Sequence, residues 1–268
     1  MEVHFYLRFH TEFGQSLFVS AYLDEQEIGE GSRLLPMSYL NEEFWKITLT
    51  LSPKKNSQLR YKYFLKTREG QLISEEEKDR IVEFSKNIEE VELIDTWNHT
   101  GEFENVFYTS PFQKTLFKNN SAIYKSALSK KATHVFKIKA PLLKKNEVVC
   151  IIGQGKTLGD WSTGKPVLLS KKDNWWIAAI NLENEDFPLA YKYGIYNSKT
   201  KEFVRFEGGD NRIVYAEAGE KRLAILHDGF IHLPNNTWKG AGVAIPVFSL
   251  RTKNSFGVGE FADLKLLV

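Results

Sequence analysis

Cysteine is almost missing from this chain: among 268 residues Cys150 stands alone, inside the apolar run Val148-Val149-Cys150-Ile151-Ile152. A single thiol closes no internal disulfide, and in that setting it reads as a small buried hydrophobe. No apolar stretch approaches the length of a membrane-spanning helix, and the opening Met1-Glu2-Val3-His4-Phe5-Tyr6 lacks the pattern of a signal peptide. With nothing to mark secretion, the expected location is the cytoplasm. Excess charge is scarce as well: the formal net charge is +2, so nothing in the total demands a nucleic-acid partner. Acid is missing locally. From Asn105 to Asn146 there is no Asp or Glu, while Lys114, Lys118, Lys125, Lys130, Lys131, Lys137, Lys139, Lys144 and Lys145 are present. That stretch has no arginine and follows no nucleic-acid motif, so it reads as a linker docking on acidic surfaces such as Glu75-Glu76-Glu77.

Aromatic residues are abundant: 13% of the chain, as 19 Phe, 11 Tyr and 6 Trp. They favour strands and sheet cores, with some left over for exposed platforms. They also recur in order. His4 and the strand after it match His134-Val135-Phe136-Lys137-Ile138, Phe44-Trp45-Lys46-Ile47 matches Asn174-Trp175-Trp176-Ile177, and Tyr61-Lys62-Tyr63 matches Tyr191-Lys192-Tyr193, all 130 residues apart. Arg80-Ile81-Val82 matches Arg212-Ile213-Val214 at 132. A period this long is a duplicated domain and not a solenoid unit.

The first copy is placed at residues 1–98, the second at 132–228. Short alternating segments dominate the first: Val3–Phe9, Leu17–Tyr22, Trp45–Leu51, Leu59–Leu65, Ile81–Phe84 and Val91–Ile94. The second has Thr133–Lys139, Val148–Gly153, Trp175–Asn181, Leu189–Tyr196, Arg212–Ala216 and Arg222–His227. Short strands at regular spacing, with no long amphipathic helix in either copy, predict an all-β fold of two tandem immunoglobulin-like β-sandwiches. Residues 99–131 carry too many aromatics for a flexible tether and are expected to pack along a domain surface, with a short helical turn near Ser121–Ser129.

In the second copy one loop reads Gly153-Gln154-Gly155-Lys156-Thr157-Leu158-Gly159-Asp160-Trp161. A Trp closing a polar surface loop invites stacking on a flat, weakly polar ligand, as the C–H face of a glucopyranose would be. Lys192, Glu207 and Asn211 offer ammonium, carboxylate and amide groups to hydroxyls, and Phe206 offers a second platform. The other use of Trp161 is to cap the sandwich edge, with the polar residues solvated.

The order Gly155–Trp161, Trp175-Trp176, Tyr191-Lys192-Tyr193, Phe206-Glu207 and Asn211-Arg212 resembles the starch-binding domain, carbohydrate-binding module family 20. The resemblance implies that Trp161 and Phe206 are sugar platforms, that Lys192, Glu207 and Asn211 contact hydroxyls, and that Trp175 is the core tryptophan. The family usually has Trp where Phe206 stands, which implies weaker stacking. The first copy keeps the frame but has Gly31 at the offset of Trp161 and no aromatic in Gln71–Glu76. It therefore reads as a spacer or packing partner, with Tyr22 and Tyr39 as a minor alternative site.

Residues 229–268 fall outside the repeat. Gly240–Phe248 reads as a buried strand, and Gly257–Leu267 as a loop running into an amphipathic helix. The glycines there lack the spacing and lysine of a phosphate loop. This segment resembles the opening of a 4-α-glucanotransferase catalytic domain, glycoside hydrolase family 77, where it forms the first strand and helix start of a TIM barrel. Tandem family-20 modules before such an opening resemble the disproportionating enzyme 2 type of amylomaltase. The resemblance implies a parent enzyme that transfers α-1,4-glucan or glucosyl units with retention, through a carboxylate nucleophile and an acid/base carboxylate. Those carboxylates have no counterpart before Val268, so no residue here is read as catalytic and the chain alone is expected to transfer nothing. The expected partners are an α-1,4-glucan, maltooligosaccharide or starch- or glycogen-like polysaccharide, and a downstream catalytic domain. No cofactor, metal, nucleic acid or membrane is expected. A non-catalytic starch-binding scaffold and an immunoglobulin-like protein-interaction module stay open as alternatives.

Overall fold

The computed structural model describes residues 1–29, 34–54, 56–76, 78–84, 87–99, 101–109 and 131–233. The expected helical turn near Ser121–Ser129 and the expected barrel opening from Gly240 lie outside them. The first copy contains β1 (Glu2–Arg8), β2 (Ser16–Leu23), β3 (Gln26–Glu27), β4 (Leu35–Pro36), β5 (Ser38–Tyr39), β6 (Phe44–Thr50), β7 (Gln58–Lys66), β8 (Leu72–Ser74), β9 (Arg80–Glu83) and β10 (Glu90–Thr96). The second contains β11 (His134–Lys139), β12 (Glu147–Gly153), β13 (Val167–Leu168), β14 (Ser170–Lys172), β15 (Trp175–Ile180), β16 (Leu189–Asn197), β17 (Glu202–Phe206), β18 (Arg212–Val214) and β19 (Arg222–Phe230). All twelve strands expected within the two copies form. The strands β3, β4, β5, β8, β13, β14 and β17 are additions; all but β17 run three residues or fewer, too brief to show a period of two.

Each copy builds one layer of its own: β3-β2-β7-β8 with β4 and β9 in the first, β13-β12-β16-β17 with β18 in the second. The facing layer is shared. A single eight-stranded sheet runs β14-β15-β11-β19-β10-β1-β6-β5 through both copies. They meet where β10 pairs in parallel with β19, Glu90 opposite Arg222 through Asp95 opposite His227. Side chains alternate across a strand, so the two copies cover opposite faces of this sheet. Leu93 and Ile225, opposite one another, enter the core of the first copy. Their neighbours Ile94 and Leu226 turn the other way, Leu226 into the core of the second copy and Ile94 packed against it.

Polar contacts cross the same seam. Arg222 donates to Glu90 at 2.7 and 2.5 Å, and Lys221 to Glu89 at 2.6 Å. His227 Nδ1 lies 2.5 Å from Asp95, and Arg8 Nη1 lies 3.8 Å from Asp228. Residues 101–109 join in through a 3-10 turn at Phe103–Tyr108. The Tyr108 ring sits 5.4 Å from Lys139 Nζ and 6.0 Å from the Phe230 ring.

The cores correct two sequence alignments. In the first copy Val3, Phe5 and Leu7 face inward, in the second His134, Phe136 and Ile138. His4 and His134 are therefore not counterparts. His4 points outward to Thr48, and His134 is buried against Phe187 and the Ala216 carbonyl. Likewise Trp45 is matched by Trp176, which is 4% exposed in the second core. Trp175, read as the core tryptophan, turns to the opposite face against His227 and Lys139. A spacing wrong by one residue inverts a strand's faces, which is why identical letters misled here. Glu75, read as a dock for the lysine-rich linker, is instead buried beside Arg80.

Candidate functional site

The loop after β12 is built from backbone constraints. Gly153 lies opposite Tyr191, and a Cβ on it would stand 2.6 Å from the Ala190 carbonyl oxygen. The chain then folds back: Gln154 N donates to Ala190 O at 2.8 Å, Gly153 N to Leu158 O at 3.0 Å, and Trp161 N to Gly153 O at 2.9 Å. Leu158 is fully buried and anchors the loop in the core. Asp160 and Trp161 both sit in the left-handed region, at φ 46° and 61°. Non-glycine residues there are strained, and such strain persists where the surroundings impose it. Glu185 supplies part of that imposition: it accepts from Thr157 N at 2.7 Å and occupies the space that a Cβ on Gly155 would need. The hydrogen bond from Thr157 holds the Glu185 carboxyl below the usual carboxylate range. Trp161, 36% exposed, closes this braced loop.

Three other expected residues reach the outer face of the same sheet. On β16 Tyr191 and Tyr193 point into the core, so Lys192 points out. Its Nζ donates to the Gly209 carbonyl at 2.6 Å. Phe206 lies opposite Gly194, and its ring packs 4.5 Å from Phe203. Gly194 is required, since a Cβ would stand 2.6 Å from the Phe203 ring. Asn211 is exposed just before β18, whose Arg212 lies opposite Tyr191, so it comes beside Lys192. Its amide has no hydrogen-bond partner among the described residues. Lys192, Phe206 and Asn211 thus lie beside the middle of β16 on its outer face, and the Trp161 loop is tied at Gly153, opposite Tyr191 of the same strand, with Phe203, Gly194 and Glu185 as supports that carried no sequence signal. An aromatic face, an ammonium and an amide on one open surface suit a ligand with apolar C–H faces and hydroxyl edges.

Glu207 is the correction. It is 4% exposed and points inward. Arg212 grips it from both sides, Nε to Oε1 at 2.9 Å and Nη2 to Oε2 at 2.9 Å, and Tyr193 N donates to Oε1 at 3.0 Å. Beneath, Tyr191 and Tyr193 hydroxyls both donate to Asp228 at 2.8 Å. The first copy repeats this arrangement: Arg80 pairs with Glu75, Tyr63 N donates to Glu75, and Tyr61 and Tyr63 hydroxyls donate to Asp95. A network present in both copies, with the exposed platforms in one, belongs to the architecture. In the first copy Gly31 lies outside the described residues. Tyr22 and Tyr39 sit on different sheets, Tyr39 edge-on to Trp45. The cleft lined by Phe9, Trp97, His99 and Glu102 holds none of the expected site residues.

Burial pushes the Cys150 thiol up to about 12, which leaves it an inert core residue. Among the described residues no cluster of three or more His, Cys, Asp or Glu is placed to hold a metal ion, and no helix is long and apolar enough to cross a membrane.

Over 283 aligned residues the chain is 28% identical to the 4-alpha-glucanotransferase DPE2 of Oryza sativa subsp. japonica, covering 98% of this chain and 29% of the relative. It thus spans less than a third of that relative's length. Among solved structures it is similar to a glycoside hydrolase family 15 glucoamylase from Hypocrea jecorina, at 21% identity, with 40% of this chain and 18% of that one covered and a TM-score of 0.32. It is also similar to the family 20 carbohydrate-binding module of the maltotetraose-forming amylase from Pseudomonas saccharophila STB07, at 22% identity, with 37% and 98% covered and a TM-score of 0.30. The starch binding domain family matches residues 1–93 and again 132–225, so this chain belongs to that family and carries its domain twice.

Proposed function

We propose that this chain is the α-glucan-binding region of a 4-α-glucanotransferase, and that its second module holds the glucan. The observation that carries the reading is that Lys192, Phe206 and Asn211 share one outer face of a starch-binding domain, with the exposed Trp161 closing a loop tied to the neighbouring strand. Trp161 and Phe206 stack on pyranose rings, and Lys192 and Asn211 hydrogen-bond their hydroxyls. Similarity to a 4-alpha-glucanotransferase along 98% of the chain supports the enzymatic context. In that context the modules keep polymeric substrate near a downstream catalytic domain and raise its effective concentration there. The buried carboxylates Glu75, Asp95, Glu147, Glu207 and Asp228 all serve ion pairs, and the chemistry of transfer is assigned to the catalytic domain. The first module, joined edge to edge with the second, acts as a packing partner that fixes the second module's frame.

Calorimetric titration with a cyclic α-glucan tests this. Trp161→Ala should weaken binding by about 1–3 kcal/mol, the usual cost of removing a central aromatic anchor. Binding that survives the substitution intact would move the glucan to another surface, and a wild-type chain that binds no glucan would leave both modules as architecture.

A further inference from the structure

One outward row of the second module leads away from Asn211 and Lys192 and is not used by the reading above. Along β18 and the two residues after it the side chains alternate. Val214 and Ala216 enter the core and Arg212 reaches Glu207, while Asn211, Ile213 and Tyr215 turn out. Tyr215 is 61% exposed and Ile213 38%. Ile213 lies opposite Ala190, so this outward row begins beside Lys192 and leads away along the sheet edge. At about 3.3 Å per residue, Tyr215 lies roughly 13 Å beyond Asn211, further than one sugar ring reaches. The first copy shares the outward isoleucine but not the ring: Ile81, which matches Ile213, is 53% exposed, and the position that matches Tyr215 holds Glu83, hydrogen-bonded to Gln58. The bare ring therefore occurs in the copy that has Trp161 and Phe206. A tyrosine adds a stacking face and a hydroxyl, the same chemistry as the neighbouring site.

We propose that Tyr215, with Ile213 before it, is a third platform that extends the glucan site along β18 and makes the second module prefer longer α-1,4-glucan chains. This rests on the glucan reading of Trp161, Lys192, Phe206 and Asn211. The chain following that outward row leaves the first platforms at Asn211 and meets the next apolar surface at Ile213 and Tyr215.

The test is calorimetric titration of the whole chain with maltotriose and with maltoheptaose, for wild type, Tyr215→Ala and Trp161→Ala. The wild type should bind maltoheptaose more tightly. Tyr215→Ala should lose roughly three- to tenfold in affinity for maltoheptaose, the range of one aromatic stacking contact, and leave maltotriose unchanged. Trp161→Ala should weaken both. Equal maltoheptaose affinity in Tyr215→Ala and wild type, with Trp161→Ala still impaired, overturns the extension and leaves the glucan site standing. An equal loss for both sugars places Tyr215 inside the short-chain site and also overturns the extension. A wild type that binds neither sugar removes both readings together.

Discussion

Glu207 and Trp161 stand 46 residues apart in the chain and serve the same surface in opposite ways. Trp161 sits in a left-handed backbone conformation and is 36% exposed. Glu207 is held in, its carboxylate shared between Arg212 and Tyr193 N. Removing one member of a buried ion pair leaves the other uncompensated. Glu207→Ala should therefore lower unfolding stability by about 3–5 kcal/mol, read as a shift in the denaturant midpoint. Unchanged stability with lost glucan binding would return Glu207 to the ligand surface. Lys192 sits between these cases: it points outward, yet its ammonium already holds Gly209, so it orders the loop before Asn211 as well as facing solvent.

At the level of the element, the loop from Gln154 to Trp161 shows how a rigid platform is made without a helix. Gly153 and Gly155 allow backbone and carboxylate to approach where any side chain would collide. Leu158 plugs the core, and Glu185, from the turn after β15, ties the loop through Thr157 N. Glu185→Ala should loosen the Trp161 platform while costing less than about 1.5 kcal/mol of global stability, the worth of one hydrogen bond. The expected readout is weaker α-glucan binding with a nearly unchanged unfolding midpoint. Unaltered affinity would show that the glycines and Leu158 suffice. Strand β17 makes the same point: Phe203 folds over Gly194, and Phe206 rests against it.

For the molecule as a whole, the consequential feature is the parallel pairing of β10 with β19. It makes the last strand of each copy a floor for both cores. Ile225, from the second copy, fills the core of the first. Around the seam, burial pushes the Asp95 carboxyl up, but Arg80 and His227 outweigh it and hold the group down at about 2. Burial and the nearby Lys137 push the His227 imidazole down to about 4, against the pull of Asp95. Both values lie below those of the unfolded chain, so in both windows the unfolded state binds more protons and stability rises with pH. As pH falls, the chain should lose stability first between about 6.5 and 4, as His227 of the unfolded state takes up a proton. It should lose more between about 4 and 2, through Asp95. Chemical denaturation across that range checks this, and a chain equally stable at about pH 7 and about pH 4 would contradict the buried-neutral assignment of His227.

The sequence by itself determined the duplication, the twelve main strands and the class of the fold, because hydrophobic alternation and aromatic spacing are written locally. It also nominated Trp161, Lys192, Phe206 and Asn211 for the proposed site, because a motif of residue types in order survives without coordinates. Local letters do not say which way a strand's faces turn. His4 against His134 and Trp45 against Trp175 look alike at one spacing, and a one-residue shift reverses both. Nor do they say whether a carboxylate has a cation behind it, and so Glu207 looked free until Arg212 and Tyr193 were placed around it. Glu185 carried no signal, since its role is to fill space beside a glycine 30 residues away. The joining of two sandwiches through one sheet was likewise decided only by tertiary structure, because parallel pairing of β10 with β19 brings together strands some 130 residues apart. Such pairing depends on which edges are left open once each core has closed.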